Sequence, residues 1–290
     1  MLRSIEIVTD RNMYSPSDSV EGDLLIASDK EFQYNAIHLT FMGREHTRIV
    51  VHHGKTSTVH TDERVYFSDR LDLEGAGIMT VEGMRFHFRF QIPEGVPSSY
   101  SGIHGWIEYT LTGIIERSLA RDEKKQISIE VKNYERVPPS QPQHVSIEKE
   151  GSPILDIEME SDVCGIGDSI RLRLLVAQDV KIRGVRVELL SEEEASTKHH
   201  RRTFSSTSAK IYLENALIER DLWIDVPLET SESMPSEFSR EILSNKASIK
   251  VTLDVPWALD KSVNIPIRLG RYLSASDRDN KRAFDLGWNF

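Results

Sequence analysis

The residues most able to do chemistry in this chain are histidines and one cysteine. His52, His53 and His60 lie in a polar stretch that reads as a hairpin around Gly54. Residues across a hairpin meet, so two of these imidazoles could share a metal. His52 and His53 are adjacent, however, and neighbours on a strand point to opposite faces. The stretch therefore reads as a solvated loop. His87 and His104 read as outward-facing strand residues. Cys164 is the single cysteine; no base lies near it in sequence, and it reads as a small packing residue. Gly165-Ile166-Gly167 begins like a dinucleotide fingerprint, but the third glycine and the βαβ setting are missing, so a tight turn explains it better. No Walker loop, His-Glu-x-x-His, Gly-x-Ser-x-Gly or Cys-x-x-Cys pair occurs. These residues assign no catalytic, cofactor-binding or metal-ligating role, and no cofactor is expected.

Charge narrows the partners. Net charge is −10 over 290 residues, which favours solubility and disfavours bulk binding to nucleic acid or anionic lipid. Two basic clusters stand against that background: Arg117, Arg121, Lys124 and Lys125, and then Lys198, His199, His200, Arg201 and Arg202. Both read first as solvated loop charge and second as a site for phosphate or an acidic partner. No apolar run approaches the ~18 residues of a membrane span. One cysteine permits no intrachain disulfide, there is no Asn-x-Ser/Thr, and the N-terminus enters a strand pattern without a signal peptide. The expectation is a cytoplasmic protein, with peripheral membrane association open.

The elements behind these residues are strands. Phe86, Phe88, Phe90 and Ile92 share one face, against Arg85, His87, Arg89 and Gln91. The same alternation runs through Ile127–Val131, Leu155–Met159, Ile170–Val176 and Val185–Leu189. One apolar face and one polar face mark antiparallel sheets that cover a core on one side. A pattern also recurs. Asp18-Ser19-Val20 and Asp168-Ser169-Ile170 each open a strand; Phe90-Gln91-Ile92-Pro93 and Ile224-Asp225-Val226-Pro227 each close one; alternating strands follow at Ile107–Leu111 and Ile249–Leu253. The chain reads as all-β, with two tandem antiparallel immunoglobulin-like β-sandwich domains at 1–136 and 143–270, joined by a Pro-rich linker at 137–142. Residues 235–243 could form a short helix, with Phe238 and Ile242 on one face, or a tight loop.

Residues 271–290 form a tail. Its end alternates Phe284, Leu286, Trp288 and Phe290 with Asp285, Gly287 and Asn289. Four large apolar side chains on one face each gain ~1.5–3 kcal/mol if burial is available. The tail reads as an added strand, pairing with a sheet edge of its own chain or of a neighbouring copy, or else as a frayed terminus.

The residues Tyr14-Ser15-Pro16-Ser17-Asp18-Ser19-Val20-Glu21-Gly22 resemble the first signature of arrestin N-domains. Phe86–Pro93, Pro97-Ser98-Ser99-Tyr100 and the strand from Gly102 to Leu111 with its Tyr109 resemble the second. The second half is similar to the arrestin C-domain more loosely, through Asp168–Val176, Val185–Leu190 and Ala247–Ile267. The length also suits the retromer small-subunit branch of this clan and related sporulation-control proteins. The resemblance implies two seven-to-nine-stranded sandwiches on a short hinge, no catalysis, and binding to receptor tails, cargo or other proteins. It implies tail docking on the N-domain through Phe284, Leu286, Trp288 and Phe290. Two family features depart. The paired lysines that sense phosphate on the first strand are absent from Ser4–Val8, which has only Arg3 beside it. Glu21 reads as a turn or surface residue rather than as part of a buried charge cluster.

The leading expectation is a non-enzymatic intracellular adaptor or scaffold for protein partners, membrane-protein tails among them, in trafficking or signalling. The alternatives are a self-assembling structural protein in which the C-terminal strand Phe284–Phe290 pairs with another copy, a sporulation-control-like regulator, and, last, a metal-dependent or cysteine-based enzyme; a homo-oligomer through edge strands is also open.

Overall fold

The computed structural model describes residues 2–117 and 120–273. The tail strand expected at Phe284, Leu286, Trp288 and Phe290 lies outside the described residues. The chain forms two compact units. The first comprises residues up to Asn133 with Ala195–Arg202 and Glu241–Leu243; the second comprises Tyr134–Glu194, Thr203–Arg240 and the residues from Ser244.

In the first unit, β1 (Leu2–Thr9), β3 (Ser19–Ser28) and β8 (Met84–Gln91) form one sheet, in the order β1-β3-β8. The facing sheet runs β2 (Met13–Tyr14), β11 (Glu123–Val131), β10 (Gly105–Glu116), β5 (Ala36–His53) and β6 (Thr56–Glu74), with β9 (Tyr100–Ser101) also on β10. A small pair, β4 (Phe32–Tyr34) and β7 (Gly77–Met79), stands beside them. The alternation seen in sequence sets the register. Val20 pairs with Phe90 and Leu24 with Phe86, and Phe88, Phe90 and Ile92 are buried. Phe41 lies between the sheets, its ring 5.0 Å from Phe67 and 5.6 Å from Phe90. Gly43 makes room for this cluster, because a Cβ there would sit 2.5 Å from Phe67 and 2.7 Å from Tyr109. A cluster of aromatic rings thus sits among the aliphatic side chains of the first core, each ring worth more than its area through edge contacts.

The second unit repeats the wiring. Its smaller sheet runs β12 (Gln143–Lys149), β13 (Ser152–Met159), β15 (Ser169–Val176) and β18 (Trp223–Glu229). Its larger sheet runs β14 (Val163–Gly165), β21 (Lys261–Gly270), β20 (Leu243–Asp254), β16 (Gly184–Ser196) and β17 (Arg201–Glu214), with β19 (Phe238–Ser239) on β20. The two main sheets repeat those of the first unit strand for strand, with β12 added at one edge and, among the described residues, without a counterpart of the β4–β7 pair. The core differs. It is built from aliphatic side chains such as Leu155, Ile157, Leu172, Leu174, Val185, Val187, Ile249 and Val251.

Three details depart from the sequence reading. Both units contain a short parallel pairing, β2 with β11 and β14 with β21. Two or three residues carry no readable periodicity, so nothing in the sequence marks these strands. No α-helix forms at 235–243; Phe238 and Ser239 pair with Asn245 and Ser244 instead. Pro227 does not correspond to Pro93. The Ile92 N–H donates to Asp18 O and the Thr230 N–H donates to Asp168 O, so Thr230 is the equivalent of Ile92. Pro227 lies inside β18, opposite Arg171. An edge strand accepts a proline because its missing N–H can face the open side.

Candidate functional site

The turn that opens β3 is held by Asp18. Its carboxylate accepts from the Ser15 N–H at 2.9 Å and from Arg11 at 3.3 Å. The Tyr14 ring is buried, and its hydroxyl donates to Asp10 Oδ1 at 2.6 Å. Burial and that bond raise the Tyr14 pKa. Ser17 sits at φ 70°, a left-handed conformation that costs a non-glycine residue about 1–3 kcal/mol. The second signature closes on itself: the Tyr109 hydroxyl donates to Pro97 O at 2.5 Å, and the loop is tied to β11 by Ser98 and Ser99 hydroxyls that accept from Asn133 and Val131.

That loop borders a groove of about 530 Å³ on the larger sheet, lined by Asn12, Ser99, Tyr100, Trp106, Glu108 and Glu130 among others. Glu108 Oε1 accepts two hydrogen bonds from Arg44, at 2.8 and 2.6 Å, and Arg44 also reaches Glu63 at 2.7 Å. Trp106 stacks on His46 at 4.9 Å. Rings, hydroxyls and carboxylates in one groove suit an extended peptide, and carboxylates beside aromatic faces suit its cations.

Comparison with known proteins bears on this unit. Residues 4–134 match the family described as arrestin (or S-antigen), N-terminal domain. This match supports an arrestin-family protein. No curated protein matches the chain. The arrestin family consists generally of non-enzymatic adaptors, and the matched N-terminal domain supports a protein-binding adaptor at the level of the family. No helix among the described residues is long and apolar enough to cross a membrane.

The second unit carries its own groove, about 720 Å³, on the outer face of the smaller sheet. A charged row crosses it in register, His144–Glu158–Arg173–Asp225. Arg173 lies 3.6 Å from Glu158, 4.0 Å from Asp225 and 5.0 Å from the Trp223 ring. Arg171, on the next row opposite Pro227, has no ion pair among the described residues.

The other residues singled out in sequence fall as follows. The hairpin turns at Gly54, with His52 opposite Ser57 and sharing a 2.8 Å hydrogen bond with it. His60 sits on β6, its ring 4.1 Å from that of His200 within the first unit. Among the described residues no group of three or more metal-ligating side chains occurs. Cys164 is buried, and burial, with Asp162 and Asp168 nearby, pushes its thiol up to about 11, which suppresses the reactive thiolate. Gly167 takes φ 92° in the turn before β15. Glu21 is at the surface, 3.3 Å from Arg89, and His87 faces solvent beside Asp23. In the first basic cluster Arg117 packs over the Phe32 ring at 4.5 Å and pairs with Glu123. The second cluster forms the turn between β16 and β17 and the start of β17. Sequence reasoning missed both grooves, because their lining comes from three or four strands far apart in the chain.

Proposed function

We propose that this arrestin-family protein is an intracellular adaptor that holds extended segments of other proteins, membrane-protein tails among them, in trafficking or signalling. The observation that carries the reading is the match of residues 4–134 to an arrestin N-terminal domain, on a domain with a groove of aromatic rings, hydroxyls and carboxylates. Main-chain hydrogen bonds at sheet edges supply affinity, and the grooves supply specificity. The domains are assigned to 1–136 and 143–270, with 137–142 as linker. Two hydrogen bonds favour a linker anchored on the second domain, Gln141 N–H to Asp162 and Arg268 to Pro139 O. The tail, through Phe284, Leu286, Trp288 and Phe290, acts as an added strand that competes with partners for a sheet edge.

The experiment is affinity capture from native lysate by the full chain and by a chain lacking residues 275–290. Captured partners are then purified and mapped by hydrogen exchange on the complex. The expected result is saturable binding, with protection on an edge strand or a groove, and tighter binding without the tail. Stoichiometric zinc in untagged protein, or no saturable partner with either chain, would overturn the adaptor reading.

A further inference from the structure

Among the described residues β17 is the last strand of its sheet and has a strand neighbour, β16, on one side only. Its sequence is Arg-Arg-Thr-Phe-Ser-Ser-Thr-Ser-Ala-Lys-Ile-Tyr-Leu-Glu. Open edges are usually blunted by proline, by bulges or by dense charge; this strand has no proline and no glycine. Ala209, Ile211 and Leu213 pack against the core, so the even-numbered residues near that end face outward. Among the outward residues are two exposed aromatics, Phe204 at 39% and Tyr212 at 44%. They stand four residues on either side of Ser208.

We propose that two copies of the chain pair antiparallel along β17 about a two-fold axis at Ser208. This goes beyond the adaptor reading and does not depend on it. Centred at Ser208, the register sets Arg202 against Glu214 and Phe204 against Tyr212, each twice by symmetry, with Ser206 against Lys210. Opposite side chains in such a ladder lie ~4.5–5.5 Å apart at Cβ, close enough for both an ion pair and an aromatic pair. Arg202 and Glu214 are exposed, and among the described residues neither is in an ion pair of its own chain. Other registers are worse. An axis at Ser206 sets Arg202 against Lys210, and an axis at Lys210 sets that lysine against itself. An axis at Thr207 keeps the rings near cations but separates Arg202 from Glu214. A contact in which the same patch meets itself closes after two copies, so the product is a dimer and not a filament. One strand pair buries less than the ~1,200 Å² of a standard interface, so the dimer is reversible, forming in the micromolar range.

The test has two arms on the full chain. In sedimentation across the micromolar range, the native chain shows a monomer–dimer equilibrium. Arg202→Glu weakens the dimer about tenfold, since two attractive pairs become repulsive, and R202E/E214R restores it; melting curves check that each variant is folded. In the second arm, Ser208→Cys gives a covalent dimer on mild oxidation. Opposed Cα atoms ~4.5–5.5 Å apart fit a disulfide, and the buried native thiol of Cys164 stays silent. A chain that stays monomeric, a charge swap that fails to rescue, cross-linking by Thr207→Cys in place of Ser208→Cys, or open-ended growth in place of a dimer would each overturn the proposal.

Discussion

β6 and β17 hold the same place in their sheets and are built to opposite ends. β6 carries five carboxylates, Asp62, Glu63, Asp69, Asp72 and Glu74, against Arg64 and Arg70. Its charges are largely paired within their own sheet, Asp62 with Arg64, Asp72 with Arg70 and Glu63 with Arg44, which leaves few to pair with a second copy. β17 has Arg201, Arg202 and Lys210 against Glu214, with a hydroxyl-rich run between them. The same divergence recurs elsewhere. Tyr14 and Cys164 are equivalents, as are Ser17 and Gly167, because the Asp18 N–H bonds to Ser15 O as the Asp168 N–H bonds to Gly165 O. The first core mixes aromatic rings with aliphatic side chains, whereas the second is aliphatic. The scaffold therefore sets where an edge or a turn lies, and the side chains at equivalent positions decide what it does. Domain-by-domain differences should then appear when equivalent positions are changed.

The largest effect is expected in the cores. Phe41→Ala empties a site ringed by Phe67 and Phe90 and should cost about 3–5 kcal/mol, confined to the first domain. Denaturant unfolding followed by fluorescence in two backgrounds, one that keeps only Trp106 and one that keeps only Trp223 of the four tryptophans, separates the domains. Equal destabilisation of both would break the comparison, since the cores would then be one cooperative unit. Next come the turns. Gly167→Ala should destabilise the second domain by about 1–3 kcal/mol, because φ is 92°, a conformation that an alanine adopts only with strain. Ser17→Gly should stabilise or leave unchanged the first domain, measured the same way. If both substitutions have the same sign, the two turns are not equivalent. Tyr14→Phe removes the donor to Asp10 and should cost about 0.5–1.5 kcal/mol, whereas Cys164, at the same position, makes no comparable bond.

The smallest effect is on pH dependence, and it has opposite signs in the two domains. Burial lowers the pKa of His38, helped by Arg70 and opposed by Glu116. The folded first domain therefore binds that proton less readily than the unfolded chain, so stability falls as pH drops through 6.5. Burial raises the pKa of Glu237. The folded second domain binds that proton more readily, so its stability rises as pH falls from above its folded pKa toward 4.5. Melting curves of the full chain and of His38→Gln between neutral pH and about 5 check this; a flat profile in the native chain contradicts it.

Much of this was legible in the sequence. Alternation at Phe86–Ile92, Leu155–Met159 and Ile170–Val176 identified strands because a half-buried sheet forces period two. The signature residues Tyr14, Pro97 and Tyr109 were legible because each closes a local hydrogen bond. The β17 edge was not, since its Ser/Thr run shows no apolar alternation before Ala209. The Pro227 mismatch was hidden because an edge strand tolerates a proline that a central one would reject. The grooves depend on cross-strand neighbours such as Arg44 and Glu108, which only the register brings together.

The claim that edge chemistry, and not strand position, decides which domain pairs is tested most directly by amide hydrogen exchange on the full chain over a concentration series. The account predicts that amides of β17 gain protection as concentration rises while those of β6 do not. Protection growing on β6, or equally on both strands, would contradict it.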